Sequence, residues 1–161
     1  MGRKEEMFQY AREKLTPYIS ERANLLRKDC AAYLEMKREY HRIVSDLLQT
    51  AQKRQAAGTL GQIHYFSIFY LQSSAVTQSY DFALSLTNER YCLDQNGLLC
   101  FWCPQRLFQA VEEDLSFFEK DARQMWIRIR PYELEEIRRA YINNLYQLAG
   151  FFFGEESLDA A

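Results

Sequence analysis

Leu26, Cys30, Tyr33, Tyr40, Val44, Leu47 and Ala51 recur at alternating intervals of three and four residues, interrupted only by Lys37. That spacing keeps one face of an α-helix apolar. Thr16-Pro17 has the chemistry of an N-cap followed by proline at the first helical position. The pattern therefore predicts a short helix before Thr16 and a long one from Pro17 to about Gln55, ended by Gly58 and Gly61. At 1.5 Å per residue the long helix would span roughly 55–60 Å, more than the width of a compact domain of this size. Part of its ladder is then expected to project and to be covered by a second copy of the chain. Tyr40, Val44 and Leu47 are the residues expected in that contact.

The period changes after Gly61. "QIHYFSIFYL" (62–71) carries aromatic and branched residues on both faces and reads as a buried strand. "SYDFALSL" (79–86) alternates, with Tyr80, Phe82, Leu84 and Leu86 on one face and Ser79, Asp81, Ala83 and Ser85 on the other. Between them "QSSAVTQS" reads as a turn, or as a polar rim over the rings. "TNER" reads as a turn and "YCLD" as a short strand. Asn96-Gly97 reads as a two-residue hairpin turn with positive φ, from which "LLCFW" returns. That register sets Leu93 opposite Cys100 and Cys92 opposite Phe101.

The last third is helical again. Phe108, Val111, Leu115, Phe118, Ala122, Met125 and Ile129 form an unbroken ladder that Pro131 should stop. Leu134, Ile137, Tyr141, Leu145, Leu148 and Phe152 form a second stripe, ending near Gly150 and Gly154. The expected fold is α+β, in a single domain over 1–161. It comprises a helical segment 1–57, an antiparallel meander of three or four strands over 62–103, two helices over 104–153 and a tail 154–161.

Composition adds limits. Aromatic residues make up 15% of the 161, so core and pockets will be rich in rings. The net charge of −2 conceals twelve basic against eight acidic residues in 1–56 and seven against eleven in 104–161. Acidic residues punctuate every basic stretch, so a nucleic-acid partner is not expected. No apolar run approaches the length of a spanning helix and "MGRKEEMF" lacks the apolar stretch of an export signal. The expectation is a cytoplasmic protein without a membrane partner, its four cysteines kept as thiols.

Candidate chemistry is sparse. "CFWC" (100–103) places its cysteines on opposite faces of a strand, with Cys92 and Cys103 as diagonal neighbours. A zinc site would have to recruit Cys92, Cys100, Cys103 and His64, although CxxC knuckles normally come in pairs. A redox reading draws on Cys103-Pro104 at a helix start, but lacks the βαβ setting. Packing as small hydrophobes is the expected role. There is no nucleophile elbow, phosphate-cradling loop or HExxH. The runs Glu112-Glu113-Asp114 and Glu133-Glu135-Glu136 suit first turns or exposed faces of helices.

Tyr65, Phe69, Tyr80 and Phe82 could line an apolar pocket, although rings at such spacing are usually core. The sequence thus leads to a non-enzymatic protein-interaction module, without cofactor, that forms a homodimer and engages another protein as well. The alternatives are a small-molecule binding domain using the aromatic face of the meander, and a zinc or thiol protein.

Overall fold

The structure, a computed structural model, describes residues 2–159, with side chains described for 2–156. The fold is α+β. Helices α1 (Arg3–Leu25) and α2 (Ala31–Ala56) precede strands β1 (Tyr65–Tyr70), β2 (Phe82–Thr87) and β3 (Leu98–Trp102), with the short helix α3 (Gln72–Thr77) between β1 and β2. Helices α4 (Gln105–Phe108), α5 (Val111–Met125) and α6 (Pro131–Asp159) follow. These elements form two compact units, one from the chain up to Leu34 together with Gln105 onward, the other from Glu35–Pro104.

In the first unit α1 buries Met7, Ala11 and Leu15 at helical spacing. It continues through Pro17, so the expected boundary at Thr16 is corrected. The Thr16 hydroxyl donates back to the Arg12 carbonyl at 2.6 Å instead of capping a new helix. An internal proline costs about 3 kcal/mol. Contacts to α5 on both sides of Pro17, Lys14 with Asp121 and Arg22 with Asp114, hold α1 helical through it despite that cost. The break comes at Leu26–Cys30 instead, in a turn held by the Arg27–Asp29 side-chain pair and by the Cys30 amide donating to the Arg27 carbonyl at 2.8 Å. The expected forty-residue helix is therefore two helices.

The ladder expected from Phe108 to Ile129 is also divided. It is interrupted between α4 and α5 and ends at Met125, leaving Ile127 fully exposed. Pro131 opens α6 and the Glu133 carboxylate accepts the Arg130 amide at 2.8 Å, the reciprocal half of a capping box. α6 does not stop at Gly150 or Gly154, and 154–159 are helical where a tail was expected. The reason is burial beyond the glycines. Phe152 and Phe153 are buried, Tyr33 packs edge-on to Phe152 at 5.5 Å, and the Tyr33 hydroxyl donates to the buried Glu156. Residues 160–161 lie outside the described residues.

Polar groups also cross the interior of this unit. The buried Arg22 guanidinium pairs with the buried Asp114 carboxylate and donates to the carbonyls of Leu107 and Tyr18 at 3.0 Å each. The Tyr141 hydroxyl donates to the same carboxylate at 2.6 Å. Burial pushes the Asp114 carboxyl up from its ordinary range, against the opposing pull of Tyr141 and Arg22.

The second unit holds the sheet, ordered β1-β2-β3 and antiparallel throughout. β2 faces β1 in an unbroken register from Tyr65↔Thr87 to Tyr70↔Phe82, and β3 from Leu86↔Leu98 to Phe82↔Trp102. Alternation puts Phe82, Leu84, Leu86, Leu98 and Trp102 on one face, all buried. There Tyr40 of α2 meets the Trp102 ring at 5.6 Å, and Met36, Leu47 and Ala51 of the same helix are buried too.

Several expectations change here. β1 is an edge strand and not a buried one, with Tyr65, Phe66, Phe69 and Tyr70 each at least 40% exposed. "QSSAVTQS" is mostly helix, the Ser74 hydroxyl donating to the Leu71 carbonyl at 2.6 Å. "YCLD" is no strand. Tyr91–Leu93 is a 3-10 turn, so β3 pairs with β2 directly and Cys100 faces Leu84. Gly97 is not in the left-handed region either. Its need for glycine is steric, because a Cβ there would lie 3.1 Å from both the Leu86 carbonyl oxygen and Thr87 Cγ2.

Two outcomes follow for stability. Asp114→Ala should destabilise the fold by about 3–5 kcal/mol in chemical denaturation, since it strands a buried guanidinium. Gly97→Val should cost about 1–3 kcal/mol in the same measurement, because the Leu86 carbonyl belongs to a central strand and cannot yield.

Candidate interaction surface

The two faces of the sheet differ in chemistry. Opposite the buried face stand Tyr65, Ser67 and Phe69 of β1, Ala83, Ser85 and Thr87 of β2, and Leu99 and Phe101 of β3. Small and hydroxyl-bearing residues form a floor along the central strand. Large apolar residues rise on either side of it, Leu99 and Phe101 each 56% exposed, Tyr65 46% and Phe69 41%. None of these eight positions carries a charge. Ser85 is only 7% exposed beneath its neighbours, and neither its hydroxyl nor that of Thr87 has a hydrogen-bond partner. Thr87 borders a cavity of 40 Å³ beside Asn88, Asp94 and Asn96, room for about one water.

The connection from β2 to β3 returns across this face. It brings the Tyr91 ring 5.4 Å from Tyr65 and 6.3 Å from Phe69. Tyr91 adopts φ 50, a conformation that a non-glycine residue holds only when its surroundings impose it. The imposing group is Asp94. Its carboxylate accepts the backbone amides of Asn88 at 2.8 Å and Asn96 at 2.9 Å, while the Asn88 side chain accepts the Arg90 amide at 2.8 Å. The hydrogen bonds from the Asn88 and Asn96 amides lower the Asp94 carboxyl below its ordinary range.

The residues singled out from sequence are distributed differently. Tyr65 and Phe69 stand on the outer face. Phe82 lies on the inner face and Tyr80 precedes β2, buried with φ 53. One aromatic wall made of all four is therefore corrected, because the register sends Phe69 and Phe82 to opposite sides. Tyr40 and Leu47 are buried and Val44 half-buried. The projecting ladder that was to carry them does not exist once the helix breaks at 26–30.

Cys92 is exposed in the 3-10 turn, His64 is exposed just before β1, and Cys100 lies half-buried on the inner face of β3. Among the described residues no three His, Cys, Asp or Glu side chains gather to hold a metal ion. Burial raises the Cys100 thiol, and burial with the nearby Asp81 charge pushes Cys103 up to about 12. Both are protonated at neutral pH, the opposite of a reactive cysteine.

Leu99, Phe101, Ser85 and Tyr91 were not singled out from sequence. The alternation of "LLCFW" carries the signal for the first two, whereas Tyr91 depends on a loop conformation. In the first unit an open groove of about 520 Å³ runs beside Phe8, Leu15, Ile19 and Ile137. Its polar lining includes Tyr141, whose hydroxyl is committed to Asp114.

The Asp94 staple gives a measurable pH dependence. A lowered carboxyl stabilises the loop above the unfolded value of about 3.9, and that stabilisation is lost as pH falls through the lowered value. The amide resonances of Asn88 and Asn96 should therefore titrate with a midpoint below 3.9. In Asp94→Ala they should show no such step, and the Tyr91 ring contacts should weaken.

Comparison with protein families, with curated proteins and with solved structures finds no match to this chain.

Proposed function

We propose that this chain is a non-enzymatic protein-interaction module whose binding surface is the outer face of its three-stranded sheet. The observation that carries the reading is the uncharged, exposed apolar surface of Tyr65, Phe69, Leu99 and Phe101, joined by Tyr91. Contiguous apolar surface of this kind marks an association site when it lies on an ordered scaffold. Tyr and Phe are suited to it, since a ring contributes large contact area with few rotors to immobilise. Four free thiols support a cytoplasmic setting, where cysteines stay reduced. No helix among the described residues is long and apolar enough to cross a membrane.

A second reading rests on Ser85. A buried hydroxyl without a partner, under an apolar surface, would be satisfied by a small apolar molecule bearing one hydrogen-bonding group.

The test replaces Phe69 and Phe101 together by Asp. Both rings are about half buried and help to cover Ala83 and Ser85, so a loss of about 2–4 kcal/mol is expected, and circular dichroism establishes that the variant is folded before cross-linking. In-cell cross-linking from this face should join wild type to a defined protein and fail in the variant. Retention of the same cross-links by the folded variant would end the reading. Ser85→Ala separates the two readings, because a small ligand held by that hydroxyl would bind more weakly while a broad protein contact would barely change.

A further inference from the structure

The free edge of the sheet carries a second property that the outer face alone does not explain. β1 has no strand beyond it among the described residues, and it exposes rings on both faces. Edge strands are normally kept single by charged side chains, proline or a bulge. β1 has none of these. From Gln55 to Tyr80 the chain holds no Asp, Glu, Lys or Arg, β1 contains no proline, and its register with β2 is unbroken. The opposite edge differs, since Pro104 follows β3 by two residues and both Leu98 and Trp102 are buried.

We propose that β1 pairs antiparallel with β1 of a second copy, with Ser67 on the two-fold axis, joining two three-stranded sheets into one of six strands. The proposal deepens the interaction-module reading and rests on it. Charge names the occupant. A two-fold axis sets the residues nearest to it against their own kind, so a charge in β1 would meet itself at cross-strand distance. A charge-free strand meets its copy without that repulsion, while a charged partner strand would lay its charges unpaired among the rings.

Self-complementarity fixes the register. An axis normal to the sheet keeps the outer faces of both copies on one side, so only residues of the same face can oppose one another. With Ser67 on the axis, Tyr65 opposes the partner's Phe69 and Phe66 opposes the partner's Ile68. Ring then meets ring, ring meets branched chain, and hydroxyl meets hydroxyl. Centring on Ile68 instead would press each Ser67 hydroxyl against a Phe69 ring. The joined sheet also continues the outer face across both copies, doubling its apolar surface.

Light scattering at tens of micromolar should give wild type twice the chain mass of 19.2 kDa. Ser67→Lys and Ser67→Glu, each alone, should raise the dissociation constant about fivefold or more, through like charges facing across the axis. An equimolar mixture of the two should restore the dimer, because Lys then faces Glu. Monomeric wild type, variants that each stay as dimeric as wild type, or a mixture that fails to recover would overturn the proposal. Should either variant unfold, wild type decides the matter, through hydrogen exchange at Phe66 and Ile68. Exchange there should slow as protein concentration rises a hundredfold, and concentration-independent exchange would overturn the pairing. The two readings fail separately. A monomeric wild type that still cross-links a partner through Phe69 and Phe101 removes self-pairing and leaves the interaction module standing. A dimer through β1 whose cross-links survive the Asp substitutions does the reverse.

Discussion

The three strands bury the residues of one face of their sheet and leave the flanking residues of the other exposed, and the character of the second unit follows from that asymmetry. Alternation sends Phe82, Leu84 and Leu86 of the central strand inward with Leu98 and Trp102, where Tyr40 of α2 meets them. The other half of each strand is left facing outward. A sheet with one solvated face normally alternates apolar with polar residues. Here the outer positions of the flanking strands are Tyr, Phe and Leu instead, while small residues occupy the centre. Those flanking side chains cover Ala83 and Ser85 so well that the central strand is buried through both faces. The outer surface therefore has the composition of an interior without the cover of one.

The first unit buries polar groups along with the greater part of its apolar stripes. Arg22, Asp114 and Tyr141 form a connected set in which the guanidinium reaches the carboxylate and two carbonyls. Removing an ion pair from water costs several kcal/mol per ion, and only such additional hydrogen bonds offset it. Once the network is formed, removal of either charged partner leaves the other buried and uncompensated. The network ties α1, α5 and the last residues of α4 to α6 at fixed positions, beyond what interchangeable apolar contacts alone would specify.

Period was the most legible feature of the sequence. The alternation in "SYDFALSL" and "LLCFW" and the helical stripes on either side led directly to the α+β class and to strands close to the observed ones. Helix boundaries were poorly legible, for identifiable reasons. Pro17 and Gly150 carry strong local stop signals, yet contacts on both sides hold the helices through them. The true break at 26–30 contains neither glycine nor proline, so nothing in local chemistry announces it. Asn96-Gly97 has the composition of a tight hairpin, but the strand needed before it is absent because Asp94 folds 88–97 into a stapled loop. That single difference moved the partner of Cys100 from Leu93 to Leu84, and with it the geometry of the cysteine cluster. Half of the candidate surface, Tyr65 and Phe69, was visible from composition. Leu99 and Phe101 were carried by the alternation of "LLCFW", whereas Tyr91 depends on a loop conformation that no local pattern announces.

The distribution of titratable groups bears on what such a surface can do. Catalysis by side chains needs proton donors or nucleophiles with shifted pKa values that substrate can reach. Among the described residues, Asp114 and Tyr141 are shifted but committed to one another and to Arg22 in the interior. Cys103 is shifted away from reactivity. Asp94 is shifted by the loop amides that it holds in place. The accessible apolar surface, in contrast, contains no acidic or basic residue, and its only titratable group is the Tyr65 phenol, joined by Tyr91 at its margin. The outer face of the sheet thus exposes contact area without formal charge. On the proposed reading, the energetic gain of binding lies in burying rings that the fold leaves uncovered.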